Sequence, residues 1–592
     1  MTGKRPVRTR TEPPWNPAGT TGGPPAEPGT SLRGTPGGPG TLTAVPQADQ
    51  TPSPPPVPPR PERVRPVPLA ELARLLGAAV PEGNAAVTGI THDSRAVRPG
   101  DVYIARPGAR FHGADFAASA ARLGAVAVLT DPTGTGRAAA TGLPVLTVGD
   151  PREVMGALAA AIYGDPGRDL LQIGITGTSG KTTTAYLIEG GLRAAAKEGE
   201  PTGLIGTVES RIGDERIKSE RTTPEATELQ ALFAVMRERG VRSVAMEVSS
   251  HALVLGRVDG CVFDVAVFNN LSPEHLDFHS DMEDYFRAKA QLFTAARSRA
   301  GVVNIDDEYG QRLAAGVSEV PVTTFSAEGH PDADWRARDV EVGPLGSTFT
   351  VVGPGGETVR AAAPLPGPFN VSNALAAITA LVAAGIDLKT AAEGVAAVPG
   401  VPGRLERVDA GQPYLAVVDY AHKPDAVESV LRALRKVTGG RVHAVLGCGG
   451  DRDPHKRPAM GAALARLADT AVLTSDNPRS EDPLAILAAM LAGAAEVPVH
   501  ERGTVLVEEE RAAAIAAAVA RAEPGDTVLV AGKGHERGQD IAGVIRPFDD
   551  REVLRAAVER RLAARDREAG TAGEPGPAGD TEGTEGTVEN TP

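Results

Sequence analysis

"DLLQIGITGTSGKTTTAYLIEGGLRAA", Asp169 to Ala195, changes its periodicity twice. An apolar run ending at Thr176 gives way to a short loop of Gly, Ser and Thr, and the loop to a segment with helical spacing. A buried strand feeding a helix N-terminus through a glycine-rich turn is a ready anion site, because the first backbone N–H groups of a helix have no internal partner. Gly177 and Gly180 in "GTSGKTT" let that backbone close on phosphate oxygens, with Thr178, Ser179 and Thr183 completing the loop. Lys181 can reach the outer phosphates of a nucleotide, and the Thr182 hydroxyl can ligate Mg²⁺. The general pattern places glycine five residues before Gly180; this chain has Ile175 there.

Outward from the loop, the sequence alternates. Strands are expected at "SVAMEV", "DVAVFNN" and "AGVVNID", separated by helical patterns, which is the signature of a parallel sheet covered on both faces. A second alternating block runs from about Gly403 to Arg567, with strands "LAVVDY", "RVHAVLGCG", "TAVLTSD" and "TVLVAGKG". Ahead of the loop, a helix at "PLAELARLLGA" and short strands in "VTGITHDSRAVRPGDVYIAR" and "GAVAVLTD" outline a small α/β domain. The expected fold class is α/β in three domains: residues 65–163, a central parallel-sheet domain over 164–400, and a Rossmann-like domain over 401–567. Residues 1–64, rich in Pro and Gly, and the acidic stretch 568–592 have too few large apolar residues to bury a core. Both are expected to be disordered, as solvated tails or recruitment segments.

Composition removes several classes of function. A net charge of -14 makes a nucleic-acid backbone an unsuitable partner. Cys261 and Cys448 lie far apart with no second Cys or His at ligand spacing, which fits a reducing cytoplasm rather than a disulfide scaffold or a zinc site. No apolar run reaches the roughly 18 residues of a membrane span, and no apolar stretch follows the basic N-terminal residues as a signal peptide would require.

The motifs together resemble the Mur ligases, enzymes that use ATP to add amino acids to UDP-N-acetylmuramoyl peptides in peptidoglycan synthesis. Besides "TGTSGKTT", the resemblance rests on "MEVSSHAL", "FNNLSPEHLDFHSDMEDYFRAKAQLF", "PGPFNVSNALAA", "PGRLE", "VVDYAHKPDA" and "GCGGDRDPHKRP". They stand in family order over roughly residues 75 to 565. "DNPRSEDP" and "AGKGHE" narrow it to members that add diaminopimelate as the third residue.

Glu247 ends a buried strand near the phosphate loop, where a carboxylate is costly unless it meets a cation such as Mg²⁺. By resemblance His275 is a second metal ligand, with His279 as the alternative, and Lys289 is carbamylated by CO₂. Carbamylation needs an uncharged amine, hence a depressed pKa in a desolvated site. The resemblance also implies that Asn370 and Asn373 contact adenine, Arg404 an ATP phosphate and Asp419 the ribose, with His422 and Lys423 beside them. Capping is the plainer reading of the two asparagines. Arg404 and Asp419 come from the third domain, which must therefore close over the nucleotide. Ser94 and the loop Ala109, Arg110 and Phe111 match the uridine site. Arg221, Thr222, Thr223, Ser249 and Arg257 match contacts to the muramoyl peptide, with Leu255 where the family often has Gln.

The acceptor amino acid must keep its amine free, so its distal carboxylate becomes the handle, and a planar guanidinium holds a carboxylate bidentately. Arg479 follows a parallel strand, at the crevice where open α/β sheets bind ligands, and Pro478 stiffens its turn. Asp476 and Asn477 can take a distal ammonium, and Arg452 a second carboxylate; Gly532 and Glu536 complete the site by resemblance. Lysine-adding relatives lack this arginine. The expected reaction is phosphorylation of the D-glutamyl γ-carboxylate by ATP, with Mg²⁺ and Lys181 absorbing charge, then attack by the amine of diaminopimelate on the acyl phosphate. The substrates are small molecules and the enzyme is expected to act as a monomer. Alternatives are a lysine-adding ligase, a folylpolyglutamate-type ligase, and a phosphate-loop NTPase acting as a binding switch.

Overall fold

Thr176, the last residue of the strand Leu171–Thr176, is fully buried, and Gly180 turns the chain into the helix Lys181–Ala195. Gly180 does so at φ 82°, which an L-residue adopts only with strain, and a Cβ there would lie 2.3 Å from Asn373 Oδ1. The computed structural model describes residues 59–571 apart from Asn84. The expectations for the two tails otherwise fall outside the described residues. Two short pieces of them are described. Arg60 donates to Asp101 (3.0 Å) and to the Tyr163 hydroxyl (3.2 Å), so the chain is tied down within the stretch assigned to the N-terminal tail. At the other end, the helix Asp550–Thr571 runs past residue 567.

The phosphate-loop strand lies in an eleven-stranded sheet, between Ser243–Glu247 and Val265–Phe268 and parallel to both. The register pairs Glu247 with Ile175, which sets the carboxylate beside the start of the loop. Ile173, Ile175, Val265 and Val267 pack against Leu187, Ile188 and the helix Phe369–Ala383. Phe233, Phe263 and Met246 fill the opposite side, so the parallel strands are covered on both faces as their apolar runs require. The sheet is not parallel throughout. Trp335–Gly343, Gly346–Val352 and Thr358–Ala363 form an antiparallel meander at one edge, and Glu209–Ile212 and Glu215–Lys218 extend the other edge. The strand Gly346–Val352 buries every second residue, as a strand half covered by a core does.

The third sheet has six strands, of which Leu415–Asp419, Thr527–Ala531, Val442–Cys448, Thr470–Ser475 and Thr504–Val507 are parallel. Thr527–Ala531 and Thr470–Ser475 flank Val442–Cys448, so the loops beginning at Gly449, Asp476 and Gly532 leave neighbouring strands at the same edge. Beneath them Arg511 is fully buried. It donates to the carbonyls of Ser475 (3.2 Å) and Ala531 (2.9 Å), and its charge is met by Asp550 at 2.7 Å. The front of the described chain carries a four-stranded parallel sheet, Gly89–Thr91, Asp101–Ala105, Ala127–Thr130 and Val145–Thr147. Among the described residues no helix is long and apolar enough to cross a membrane.

Candidate active site

A cleft of about 630 Å³ collects residues far apart in sequence: Thr178 to Thr183, Glu247, His275, Asn370 and Asn373, and Arg404 and Asp419 from the third sheet's side. Lys181 curls back onto its own loop, donating to the carbonyls of Gly177 (2.8 Å) and Thr178 (2.9 Å). Burial lowers its pKa, although Glu274 and Glu247 oppose that fall. Thr182 Oγ1 donates to Glu247 Oε2 (3.0 Å), and Thr207 donates to the same carboxylate through its N–H (2.7 Å) and hydroxyl (3.1 Å).

Lys289 is buried behind the loop, with its Nζ donating to Gly177 O (2.8 Å) and lying 4.6 Å from the Tyr285 ring. Burial, reinforced by the nearby Lys181 charge, drives its pKa well below the usual lysine range. That shift moves the amine toward the uncharged form that carbamylation needs. His275 takes φ 56° and packs edge-on to His251 at 4.7 Å. Burial lowers its pKa to about 4, so the ring is neutral and its nitrogen can serve as a ligand. His279 is spoken for: it is buried between Asp284 (3.2 Å) and Ser250 (3.0 Å). Among the described residues no group of three or more His, Cys, Asp or Glu could hold an ion unaided. A hydroxyl and a carboxylate beside a phosphate loop fit Mg²⁺, which takes oxygen ligands and completes its shell with water and substrate phosphates, while the imidazole is a softer donor at the same cleft.

The third domain touches this loop directly. Arg404 Nη2 lies 3.2 Å from Thr182 Oγ1 while its guanidinium covers the Tyr420 ring, and Lys423 pairs with Glu274 at 2.6 Å. Burial works against the Glu274 charge, yet Lys423, Lys181 and His275 hold its pKa near about 2. Asp419 uses both oxygens on backbone N–H groups, of Leu405 (2.8 Å) and Ala421 (2.7 Å), and so shapes the turn that aims Arg404. Asn370 is not a cap. Pro368 holds the N-cap position, and Asn370 donates to Pro366 O (2.7 Å) and accepts from Asn373 (2.9 Å).

At the front, Thr222 lines the same cleft and shares a hydrogen bond with Thr207 (3.0 Å), while Thr223 donates to Glu247 O (2.9 Å). Ser249 caps the helix Ser250–Val254 through Ala252 N (3.1 Å). Arg257 pairs with Glu225 (3.0 Å), and Arg106, which sequence reasoning missed, stands 4.0 Å from the same carboxylate. Burial raises the Glu225 pKa, but Arg257, His92, Arg106 and Arg221 together bring it below the usual range. Arg221 also lies 3.7 Å from Glu220, so Arg257, Arg106 and Arg221 face two carboxylates. Ala109, Arg110 and Phe111 lie on an exposed loop, with Phe111 68% accessible, and Ser94 is partly buried near the same sheet edge.

The loops at the third sheet's edge leave neighbouring strands and converge. Arg479 has φ 52°, its backbone held between Asp540 O (2.9 Å) and Ala542 N (2.7 Å), and its Nη1 donates to Gly450 O (2.6 Å). A Cβ at Gly449 would lie 3.0 Å from that nitrogen, and one at Gly532 would lie 2.7 Å from Asp476 Oδ2. Arg452 is exposed on the facing loop. One expectation changes. The Asn477 carboxamide oxygen already accepts from Lys533 Nζ and Asp540 N, each at 3.0 Å, so it has no lone pair for a distal ammonium. Its Nδ2 donates to Glu536 Oε2 (2.9 Å), and Asp476 and Glu536 are the carboxylates beside it.

A phosphate loop whose cleft also takes an arginine from a separate α/β domain defines a nucleotide-dependent enzyme built across two domains. The chain belongs to the Mur ligase family. Family models match in order along it: "Mur ligase family, catalytic domain" at residues 86–163, "Mur ligase middle domain" at 175–381 and "Mur ligase, glutamate ligase domain" at 403–534. It is 80% identical to a Streptomyces avermitilis protein named UDP-N-acetylmuramoyl-L-alanyl-D-glutamate--2,6-diaminopimelate ligase, over 83% of this chain and 96% of that one. A Streptomyces coelicolor protein of the same name is 77% identical, over 84% of this chain and 97% of the relative. A solved structure of a ligase with that name covers 84% of this chain and all of its own, at 31% identity and a TM-score of 0.61.

Proposed function

We propose that this protein is an ATP-dependent, amide-forming ligase. It joins diaminopimelate to the γ-carboxylate of the D-glutamyl residue of UDP-N-acetylmuramoyl-L-alanyl-D-glutamate, in cytoplasmic peptidoglycan precursor synthesis, acting as a monomer. The observation that carries this reading is one domain serving two sites. Arg404 of the third domain reaches Thr182 of the phosphate loop, while the same domain's edge gathers Arg479, Asp476 and Glu536. The names of the close relatives support the same reaction, and two buried free cysteines suit the reducing compartment.

In this reading residues 65–163 bind the uridine moiety through Ser94, Ala109, Arg110 and Phe111. Residues 164–400 bind ATP, and residues 401–567 bind the acceptor. Thr222, Thr223, Ser249 and Arg257 line the path of the muramoyl dipeptide toward Glu247. Gly177 to Thr183 cradle the phosphates, and Lys181 leaves its loop carbonyls to meet them. Asn370 and Asn373 flank the base, and Asp419 sits at the ribose end of the cleft. Thr182, Glu247, His275 and a carbamylated Lys289 would hold Mg²⁺, which when bound offsets charge on the transferring phosphoryl group. Arg404 adds a cation from the opposite side on closure, and the Lys423–Glu274 pair holds that closure. Arg479 and Arg452 orient the acceptor by its carboxylates and Asp476 and Glu536 take its distal ammonium, so the other amine faces the activated carbonyl. Pro478 and Gly532 hold these loops in shape.

The test is ADP release from the unaltered protein. Release that requires both the UDP-muramoyl dipeptide and diaminopimelate supports the reading. Release with neither, or with a folate acceptor, contradicts it.

A further inference from the structure

Lys533 lies in "AGKGHE", is fully buried, and has no role in the chemistry above. Its Nζ donates to Asn477 Oδ1 (3.0 Å) and Glu536 Oε2 (3.1 Å) and lies 4.0 Å from Asp476 Oδ1. A buried cation is costly unless anionic and polar groups surround it, and this one is surrounded by the residues assigned to the acceptor amino acid.

The consequence for Asn477 is specific. A carboxamide oxygen has two lone pairs, and here Lys533 Nζ and Asp540 N fill both. The amide therefore has one orientation, with oxygen toward Lys533 and Nδ2 toward Glu536 Oε2 at 2.9 Å. Turning it over would set its NH₂ against the Lys533 Nζ and the Asp540 N–H, and its oxygen against a carboxylate. Glu536 is drawn across by the same lysine. The backbone under both loops is fixed separately, by Arg511 on the carbonyls of Ser475 and Ala531. Arg511 thus holds the loops and Lys533 holds the side chains they carry.

We propose that Lys533 is a positioning residue that sets specificity for the distal end of the acceptor. By locking Asn477 and Glu536 it makes the crevice present N–H donors, from Asn477 and Arg479, beside carboxylates, from Asp476 and Glu536. That pattern matches a carbon bearing both a carboxylate and an ammonium. A terminus with an ammonium alone meets the carboxylates but leaves the donors unpaired, which is the stronger form of discrimination. The proposal rests on the functional reading above and says what its acceptor site recognises.

The experiment compares the full-length unaltered protein with Lys533→Met, Lys533→Arg and Asn477→Asp, measuring steady-state ADP release with diaminopimelate and with lysine. For Lys533→Met the KM for diaminopimelate rises roughly 10- to 100-fold, the scale of hydrogen bonds to charged groups, and the preference over lysine falls with it. The KM for ATP does not rise, and Lys533→Arg recovers part of the preference. Asn477→Asp keeps an acceptor for Lys533 and removes the Nδ2 donor, so it lowers the preference by roughly tenfold even if Lys533→Met does not fold. A Lys533→Met or Asn477→Asp protein that loses kcat but keeps the KM and the preference overturns this proposal alone. An unaltered protein that does not use diaminopimelate overturns the functional reading, and this proposal with it.

Discussion

Replacing Arg479 by alanine removes the guanidinium that the acceptor site is built around. Arg479 already takes the positive-φ conformation at 52°, and alanine carries the same backbone penalty, so the loop's strain is not the variable. The hydrogen bonds from the Arg479 backbone to the hairpin at Asp540 and Ala542 survive the change. What is lost is the side chain. Its Nη1 is committed to Gly450 O at 2.6 Å, which leaves Nε and Nη2 to grip a carboxylate with parallel hydrogen bonds. Hydrogen bonds to a charged group contribute about 1.5–3 kcal/mol each and are not additive, so the pair amounts to about 2–4 kcal/mol. At 1.4 kcal/mol per factor of ten, kcat/KM for diaminopimelate falls roughly 30- to 1000-fold. Lysine has no distal carboxylate and loses nothing at this position. The preference for diaminopimelate over lysine therefore collapses by the same factor, read from amino-acid-dependent ADP release with each acceptor. Arg479→Lys keeps the charge but not the fork and falls between the two. An Arg479→Ala protein with its preference intact would refute the reasoning, whatever its absolute rate.

Lys289→Ala lowers kcat roughly 100- to 1000-fold, the scale of one lost electrostatic contact in a phosphoryl-transfer site, and the intact unaltered protein in bicarbonate carries the added mass of one CO₂ that the variant lacks. Full turnover in the variant, or no added mass, removes the carbamate. Lys423→Met breaks the 2.6 Å contact with Glu274 across the cleft and raises the KM for ATP roughly 5- to 30-fold while leaving the KM for diaminopimelate in place; equal rises in both would contradict the latch. Burial lowers the His422 pKa to about 4, so the unfolded chain binds the extra proton between about 6.5 and 4 and the folded protein loses stability as pH falls through that window. The ring is partly accessible, so solvent screening limits the loss to roughly 1–3 kcal/mol, and His422→Gln flattens the urea-unfolding profile there; an unchanged slope would contradict the assignment.

The phosphate loop and the parallel strands were legible because their signals are local: an apolar run, then glycines, then helical spacing. The antiparallel meander from Trp335 to Ala363 was not: Trp335–Gly343 buries only Trp335 and Ala337 and exposes Arg338 to Glu341, so it carries too few apolar residues to announce a strand. Arg479 stood out because a short turn places it after a buried strand, whereas Arg511 hid in an alanine-rich helix that reads as solvent-facing. Its burial depends on Asp550, far along the chain, and no local pattern announces such a partner. Asn477 was read from the sequence as an acceptor for a distal ammonium, but its carboxamide oxygen is already taken. Lys533 and Asp540, which fix its amide, are brought to it only by the pairing of strands distant in sequence. Glu274, Arg106 and Glu225 belong to the same class, since each acquires its role from a domain other than its own.

Competition is the most direct trial of the central claim, that the third domain selects an acceptor by its second carboxylate. The unaltered protein is given ATP, UDP-N-acetylmuramoyl-L-alanyl-D-glutamate and equal amounts of diaminopimelate and lysine, and the product is weighed by mass spectrometry. The diaminopimelate adduct alone is the result this account predicts, and a product made equally or mainly from lysine would contradict it.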